Sequence, residues 1–209
     1  MLKLYDYPAS QNGWKVRTLL SLLGTPYETV WVKIFGPRDP AFLKLNPMGT
    51  IPVLQLEDGC AIPESHAILC YLAEGTSYLP TDRFERAQAL RWLFFEQDYV
   101  QASIATLRQW RQLGRAEANA ALMPPREAMA RRVLAALESH LAESRFLAAD
   151  RLTIADIGVF AYAHRAEDAG FALKPYPAFR RWIATVTEAA APLPPVHPYP
   201  PEAMAGVAQ

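Results

Sequence analysis

The sequence is poor in cysteine and has no surplus of charge of either sign. Only two cysteines, Cys60 and Cys70, occur in 209 residues, and their spacing fits neither a CxxC redox motif nor a zinc knuckle. We expect small buried thiols in a reducing compartment, with Cys60 as the better candidate if one thiol is functional. Lysine plus arginine equals aspartate plus glutamate, at 21 each. This balance does not favour nucleic acid or an anionic membrane as a partner.

Long hydrophobic runs and histidine clusters are also missing. No stretch approaches the ~18 uninterrupted apolar residues of a membrane span, and the N-terminal residues lack the pattern of a signal peptide. The four histidines show no ligand spacing among themselves or with the cysteines, so a metal site is not expected: His66, His140, His164 and His197. The sequence therefore predicts a cytoplasmic protein without a metal.

The pattern of the sequence changes near residue 80. Before it, strand-like and helical periods alternate in the order βαβ and then ββα, and after it the periods are helical. A proline-rich tail from about residue 191 is expected to be extended. We predict two domains, 1–78 and 85–209. The predicted strands are 2–5, 29–32, 51–56 and 60–62, and the predicted helices are 12–23, 40–45, 65–74, 84–113, 124–144, 153–169 and 177–190.

Two short segments of the first domain predict a peptide-binding pocket. Proline cannot donate to a strand ladder, so Pro52 fits a strand best if Ile51-Pro52 is a cis bond at the strand start. The Ile51 backbone is then available to pair with an extended ligand. Glu64 and Ser65 open an apolar helix, and a helix start binds carboxylates. The pocket would hold a peptide by its backbone and by one free carboxylate.

Three motifs together resemble the cytosolic glutathione S-transferases. These are the segment 46–54 (NPMGTIPVL), the Glu64-Ser65 pair and the segment 153–156 (TIAD), in the family's order and spacing. The resemblance covers residues 1 to about 190. It implies a thioredoxin-like α/β domain followed by an all-α domain, in a homodimeric detoxification enzyme. Thr153 and Asp156 have the spacing of a capping box, so we interpret that motif as structural.

The resemblance also implies how glutathione would bind. Ser65 would bind the γ-glutamyl carboxylate, Glu64 would face the γ-glutamyl amine, and Ile51, before Pro52, would pair with the cysteinyl unit. The glycine carboxylate needs a cation or an amide donor. The sequence does not rank the three candidates in the relevant segment, which are Lys33, Arg38 and Lys44.

The thiol of glutathione must ionise before it attacks, and hydrogen-bond donors lower its pKa. In the turn before the first helix, Ser10 takes the position of the serine-type classes and Asn12 offers an amide donor. The pattern resembles serine-type or Asn-assisted bacterial members (nu-like, theta-like or zeta-like). Ser10 is the first candidate and Asn12 the second, and Tyr5 and Tyr7 are the rivals of the tyrosine-type classes.

The second substrate is expected against the first long helix of the helical domain. Tyr99 and Trp110, with Ser103 and Thr106 between them, recur at helical spacing there; core or dimer packing of the aromatic rings is the alternative. The implied reaction is attack of the glutathione thiolate on a small electrophile. One alternative is glutathione-dependent disulfide or peroxide reduction, and another is a non-catalytic interaction module with the same fold.

Overall fold

The computed structural model describes residues 1–200 and 203, which form two compact units. The first unit comprises Met1–Glu74 together with Pro192–Pro198, and the second comprises Gly75–Ala191 and resumes at Tyr199. The tail segment Pro192–Pro198, which the sequence predicts to be part of the second domain, thus groups with the first unit. It is held there by the indole N–H of Trp14, which donates to the carbonyl of Pro194 over 2.9 Å. None of the described helices is long and apolar enough to cross a membrane.

The first unit is built on a four-stranded mixed sheet with the strand order β2-β1-β3-β4. β1 pairs in parallel with β2 and antiparallel with β3, and β3 pairs antiparallel with β4. The predicted order of strands and helices is confirmed, and the α/β domain is thioredoxin-like. Its elements are β1 (Leu2–Asp6), α1 (Gln11–Leu22), β2 (Tyr27–Trp31), α2 (Pro40–Leu45), β3 (Val53–Gln55), β4 (Ala61–Pro63) and α3 (Ser65–Ala73).

The two faces of this sheet carry separate apolar clusters, because successive strand residues point to opposite faces. Leu4 lies in a fully buried cluster that also takes residues from α1, β3 and α3: Val16, Leu20, Leu54 and Ile68. Its neighbour Tyr5 packs on the other face, against the cluster of Val32, Phe42 and Val53. Helices α1 and α3 therefore pack on the same face of the sheet.

The second unit is helical, as predicted, but its first long helix changes pitch. Instead of one α-helix over 84–113, α4 (Arg83–Phe95) leads into a π-helical segment (Glu96–Ala105) and then α5 (Thr106–Gln112). The backbone N–H of Thr106 bonds the Gln101 carbonyl five residues back, and the Thr106 hydroxyl donates to that carbonyl too. Residues rich in Ala, Leu and Gln favour a helix without fixing its pitch, so this feature was not predictable.

The rest of the second unit packs around one apolar helix. A 3-10 turn (Glu117–Leu122) leads into α6 (Met123–Glu143), followed by α7 (Ile154–Ala163) and α8 (Pro177–Ala189). Nine of the ten residues of α7 are buried. The capping box at its start is confirmed: the Thr153 side chain accepts from the Ala155 N–H, and Asp156 accepts from the Thr153 N–H over 3.0 Å.

Candidate functional site

The Ile51-Pro52 peptide bond is cis, as predicted. Strand β3 begins only at Val53, whose ladder partner is Pro63 on β4. Ile51 therefore lies just before the ladder, beside buried Pro52. Its backbone is placed where an extended peptide could add to the sheet.

A polar turn holds the chain that leads into this bond. The side-chain amide of Asn46 donates to both the carbonyl and the hydroxyl of Thr50, each over 2.9 Å. Gly49 has a φ of 64°, which favours glycine, and its N–H bonds the Asn46 carbonyl. Asn46 is almost fully buried. Hydrogen bonds within the turn thus fix the backbone that leads into Ile51.

The start of α3 is a strained and uncapped helix terminus. Glu64 has a φ of 70° and is the one non-glycine residue with positive φ among the described residues; it makes no side-chain cap bond to the helix. Such a conformation costs about 1 to 3 kcal/mol and clusters at ligand sites. Ser65 follows at the first helical position with 5% of its surface exposed. The terminus is thus suited to an anionic ligand.

The start of α1 carries the predicted thiol partners. Ser10 is its N-cap, and its hydroxyl oxygen accepts from the Gly13 N–H over 3.0 Å. Because a hydroxyl carries one proton and two acceptor lone pairs, this bond leaves the Ser10 proton to donate elsewhere. The Asn12 carbonyl oxygen accepts from the ammonium of Lys15 over 2.8 Å. Capping and sulfur contact are therefore compatible at Ser10.

A buried ion pair between Asp6 and Arg17 holds the turn before α1 in place. The carboxylate of Asp6, fully buried, accepts from the Tyr7 N–H over 2.7 Å and from the Arg17 guanidinium. A Cβ at position 13 would come within 1.7 Å of Asp6 Oδ1, so Gly13 is required there. Burial outweighs Arg17 and raises the pKa of Asp6 to about 6. Sequence reasoning missed this pair, whose members lie on different elements.

Gln11 is a second residue that sequence reasoning missed. Its side chain, 1% exposed, buries both amide atoms without a hydrogen-bond partner among the described residues. A buried unpaired polar group costs about 1 to 3 kcal/mol. Its position beside Ser10 makes it a candidate ligand contact, and no sequence signal marked it as buried.

The two rival tyrosines make other contacts. The Tyr5 hydroxyl donates to the Gln55 side chain over 3.1 Å, and its ring packs on Phe42 on the face away from α1. The ring of Tyr7 lies edge-on to that of Phe35. The geometry therefore favours Ser10 and Asn12 over Tyr5.

Comparisons with known proteins bear on the whole chain. The family models "Glutathione S-transferase, N-terminal domain" and "Glutathione S-transferase, C-terminal domain" match residues 4–77 and 106–185. The glutathione S-transferase 2 of Anopheles gambiae is 33% identical over 89% of this chain and 90% of its own length. The chain belongs to the glutathione S-transferase family.

Further relatives of this glutathione S-transferase differ in length. A structure described as a possible glutathione S-transferase from Rhodopseudomonas palustris is 37% identical, with a TM-score of 0.89 over 95% of this chain and 99% of that one. The elongation factor 1-gamma of Artemia salina is 30% identical over 88% of this chain, which spans only 44% of that protein. The family and the fold class inferred from the sequence are therefore confirmed.

Among the candidate cations of this glutathione S-transferase, Arg38 is already engaged. Its guanidinium donates to the carbonyls of Gly49 over 2.8 Å and Lys33 over 3.0 Å. It therefore stabilises the loop before the cis bond, whereas the side chains of Lys33 and Lys44 are exposed.

The aromatic residues expected near the second substrate lie in different surroundings. Tyr99, 42% exposed, packs on Phe95 at 5.4 Å between ring centroids. Trp110 is half-buried under the guanidinium of Arg126 at 5.1 Å. Ser103 is fully buried and bonds the backbone carbonyl of Tyr99. Tyr99 is thus the residue of this set that is most available to a ligand.

Neither Cys60 nor Cys70 forms a disulfide. Cys60 is exposed, and its thiol donates to the carboxylate of Asp58, which raises the pKa of that thiol. Since the thiolate is the reactive form, this environment argues against Cys60 as a functional thiol. No group of three or more potential metal ligands occurs among residues 1–200 and 203.

Proposed function

We propose that this glutathione transferase activates the thiol of glutathione through Ser10, with Asn12 as a second donor. The observation that carries the proposal is the bond from the Gly13 N–H to the Ser10 hydroxyl oxygen. It fixes the oxygen at the start of α1 and leaves the proton to donate to sulfur. A donor directed at a forming thiolate stabilises the charged form and lowers the pKa of the thiol.

The rest of the tripeptide would extend from α1 to α3. Ser65 would bind the γ-glutamyl carboxylate with its N–H and hydroxyl, aided by the positive end of α3. Glu64, whose strained backbone turns it out of the helix, would face the γ-glutamyl amine. Ile51 would pair with the cysteinyl backbone as an added strand. Lys33, Arg38 or Lys44 would bind the glycine carboxylate; the Nε and Nη1 groups of Arg38 already donate to backbone carbonyls, whereas both lysines are exposed.

The reaction would be a substitution or addition at a small electrophile. The thiol proton leaves to solvent, and the sulfur lone pair forms the new bond to the electrophilic carbon. In a substitution a leaving group departs with its electron pair; in an addition the electron pair of the acceptor's double bond takes up a proton from solvent and nothing departs. Ser10 holds the thiolate and does not itself attack, so no histidine or aspartate partner is required.

Tyr99 and Trp110 would shape the acceptor side. Tyr99 borders a cavity of about 200 Å³ with Phe95, Met129 and Val133. Substitution of Tyr99 by alanine should change the relative rates with different electrophiles and leave the affinity for glutathione unchanged. Equal loss with every electrophile would argue for a packing role.

We also propose a homodimer in the cytoplasm. Large apolar side chains that are exposed on the chain support an interface, with Met48 at 81%, Phe94 at 69% and Phe84 at 71% exposure. Two cysteines that form no disulfide suit a reducing compartment. Sedimentation analysis of the purified protein tests the dimer, since a monomer at micromolar concentration would contradict it.

The decisive experiment titrates bound glutathione by its thiolate ultraviolet absorbance in the wild type, Ser10→Ala and Asn12→Ala. We expect a bound thiol pKa below the free value of about 8.5, restored toward it by Ser10→Ala. Restoration by Asn12→Ala alone would favour disulfide reduction assisted by asparagine. A wild type that binds no glutathione would favour the interaction module.

A further inference from the structure

A cavity lined by helices α4 and α6 is bordered by two residues whose buried nitrogens have no hydrogen-bond partner. The cavity measures about 470 Å³, and Trp92 of α4 and His140 of α6 both line it. Nε1 of Trp92 and Nε2 of His140 are buried and unpartnered among the described residues. Trp92 is only 2% exposed, and its ring centroid lies 5.0 Å from that of His140. Because buried polar groups in folded proteins almost always have partners, these two nitrogens point to a ligand.

The backbone contacts of His140 decide which of its ring nitrogens carries the proton. Burial lowers the pKa of His140, and hydrogen bonds to the backbone of Phe146 and Leu147 act on the pKa in the opposite direction. Bonds that favour the charged ring are bonds in which the ring donates. Since Nε2 has no partner, the donating nitrogen is Nδ1, and Nε2 of the neutral ring is an acceptor. The site therefore offers one acceptor, on His140, beside one donor, the indole N–H of Trp92.

We propose that this cavity is a second binding site, for a neutral aromatic molecule that carries a phenolic hydroxyl. A hydroxyl has one proton to donate and two acceptor lone pairs, so a single oxygen can accept from Trp92 and donate to His140. A carbonyl or carboxylate oxygen would satisfy only Trp92, and an ammonium would satisfy only His140. A phenolic hydroxyl is more acidic than an aliphatic one and is therefore the stronger donor to an imidazole.

The walls of the cavity suit an aromatic ring without a net charge. Phe95, half-buried, stands edge-on to Trp92 with 5.0 Å between the ring centroids, and aromatic pairs favour such arrangements. Two opposite charges line the cavity, Arg91 and Glu143. The guanidinium of Arg91 lies 4.3 Å from the centroid of the Trp92 ring. Because the Arg91 side chain is exposed, its movement can open the buried nitrogens to a ligand. The volume of the cavity is within the range of small-molecule pockets.

The site contains none of the residues proposed to bind glutathione. Its lining residues belong to the second unit, whereas Ser10, Ile51 and Ser65 belong to the first. It adjoins the smaller cavity of Tyr99, because Phe95 and Ala136 line both. A phenol should therefore bind in the absence of glutathione, and the two proposed sites can be tested independently.

The test uses 2-naphthol and its methyl ether, 2-methoxynaphthalene, with the purified protein. The ether keeps the aromatic rings and an acceptor oxygen but cannot donate to His140. Titration calorimetry measures the affinities, and the nuclear magnetic resonance signal of the Trp92 indole N–H, identified by its loss in Trp92→Phe, reports on the site itself. His140→Phe removes the acceptor and keeps a ring. His197→Phe is the matched control, because His197 is exposed and does not line the cavity.

We expect 2-naphthol to bind the wild type and to move the Trp92 signal until the shift saturates. The ether should bind about tenfold more weakly, which is the size of one lost hydrogen bond. His140→Phe should weaken the binding of 2-naphthol about tenfold and leave the binding of the ether unchanged. His197→Phe should match the wild type with both compounds.

Three results would overturn the proposal: a Trp92 signal that 2-naphthol does not move, equal affinities for the two compounds, and an unchanged affinity for 2-naphthol in His140→Phe. The first would show that the cavity takes up water only. If His140→Phe does not fold, the comparison of the two compounds in the wild type decides by itself. All measurements are made without glutathione, so a protein that binds 2-naphthol but no glutathione would support this site and contradict the proposed function.

Discussion

Helices α7 and α3 both begin at polar residues, but the two starts are completed differently. At α7, the Asp156 carboxylate accepts from four donors: the N–H and hydroxyl of Thr153, the N–H of Leu147 and the indole of Trp182. At α3, Glu64 makes no cap bond and takes a left-handed backbone conformation.

The difference separates a helix start that serves the fold from one that is available to a ligand. The four orphan N–H groups of a helix need partners. At α7 a capping box provides partners for the N–H groups of the first turn. At α3 the residue before the helix has a strained backbone and makes no side-chain cap bond. We therefore expect substitutions at α7 to change stability, and substitutions at α3 to change glutathione affinity.

Asp156→Ala should have the largest effect. It removes the common acceptor of four buried donors, so we expect the free energy of unfolding to fall by about 4 kcal/mol. Denaturant unfolding measures this loss. Asp150→Ala, at an exposed acid of the same unit, is the matched control and should stay within about 0.5 kcal/mol of the wild type. A loss of the same small size in Asp156→Ala would show that Asp156 is not an important acceptor for the four buried donors.

A fall in pH should destabilise the fold through His164, at the C-terminal end of α7. Burial lowers the pKa of His164, its C-cap, to about 4 from an ordinary 6.5, and the ring bonds the Phe160 carbonyl. The neutral ring therefore stabilises the fold fully above pH 6.5, and the contribution is lost as the pH falls toward 4. The loss is about 3 kcal/mol.

Unfolding curves between pH 7 and 4 check this prediction. In His164→Phe the titrating group is absent, so the part of the acid loss that belongs to His164 should disappear. An acid loss of the same size in this variant would show that other groups cause it.

Ser65→Ala should weaken glutathione binding by about 2 kcal/mol, because a hydroxyl that donates to a carboxylate is lost. Titration calorimetry measures the affinity, and stability should change little. Thr153→Ala is the matched variant at α7. It should lose about 1 kcal/mol of stability and keep the affinity of the wild type. Equal behaviour of the two variants would remove the distinction between the helix starts.

Glu64→Gly should have a small effect on stability, opposite in sign to the losses expected for Asp156→Ala and Thr153→Ala. Glycine adopts a positive φ freely, so relief of strain should raise stability by up to about 1 kcal/mol, offset in part by the freedom of glycine in the unfolded chain. Glutathione affinity should fall, since the acid that faces the amine is gone. Glu64→Gln separates the two effects by keeping the strain and removing the charge. Unchanged affinity in both variants would contradict the proposed contact.

Much of this molecule was predictable because the signals were local. The cis bond at Ile51-Pro52 followed from a proline at a strand start, and the capping box followed from the spacing of Thr153 and Asp156. The features that were missed depend on distant partners or on pitch. Lys15 meets His66 across 51 residues, and the π-helical segment has the composition of an ordinary helix.

The tail is a second feature that depends on a distant partner and was therefore not predictable. The proline content predicted an extended chain, but no pattern in the sequence indicated that residues 192–198 would join the first unit. The partner of Pro194 is a tryptophan that sequence periodicity could not connect with it.

The bond from Trp14 to Pro194 also has a consequence for synthesis. The two residues are separated by 180 positions, so the first unit emerges from the ribosome long before the segment that completes it. At 5 to 20 residues per second, the nascent unit would wait roughly 10 to 40 s for this segment. During that interval the carbonyl of Pro194 is not available to the indole N–H of Trp14, so the first unit is completed by a segment that is translated 180 residues later.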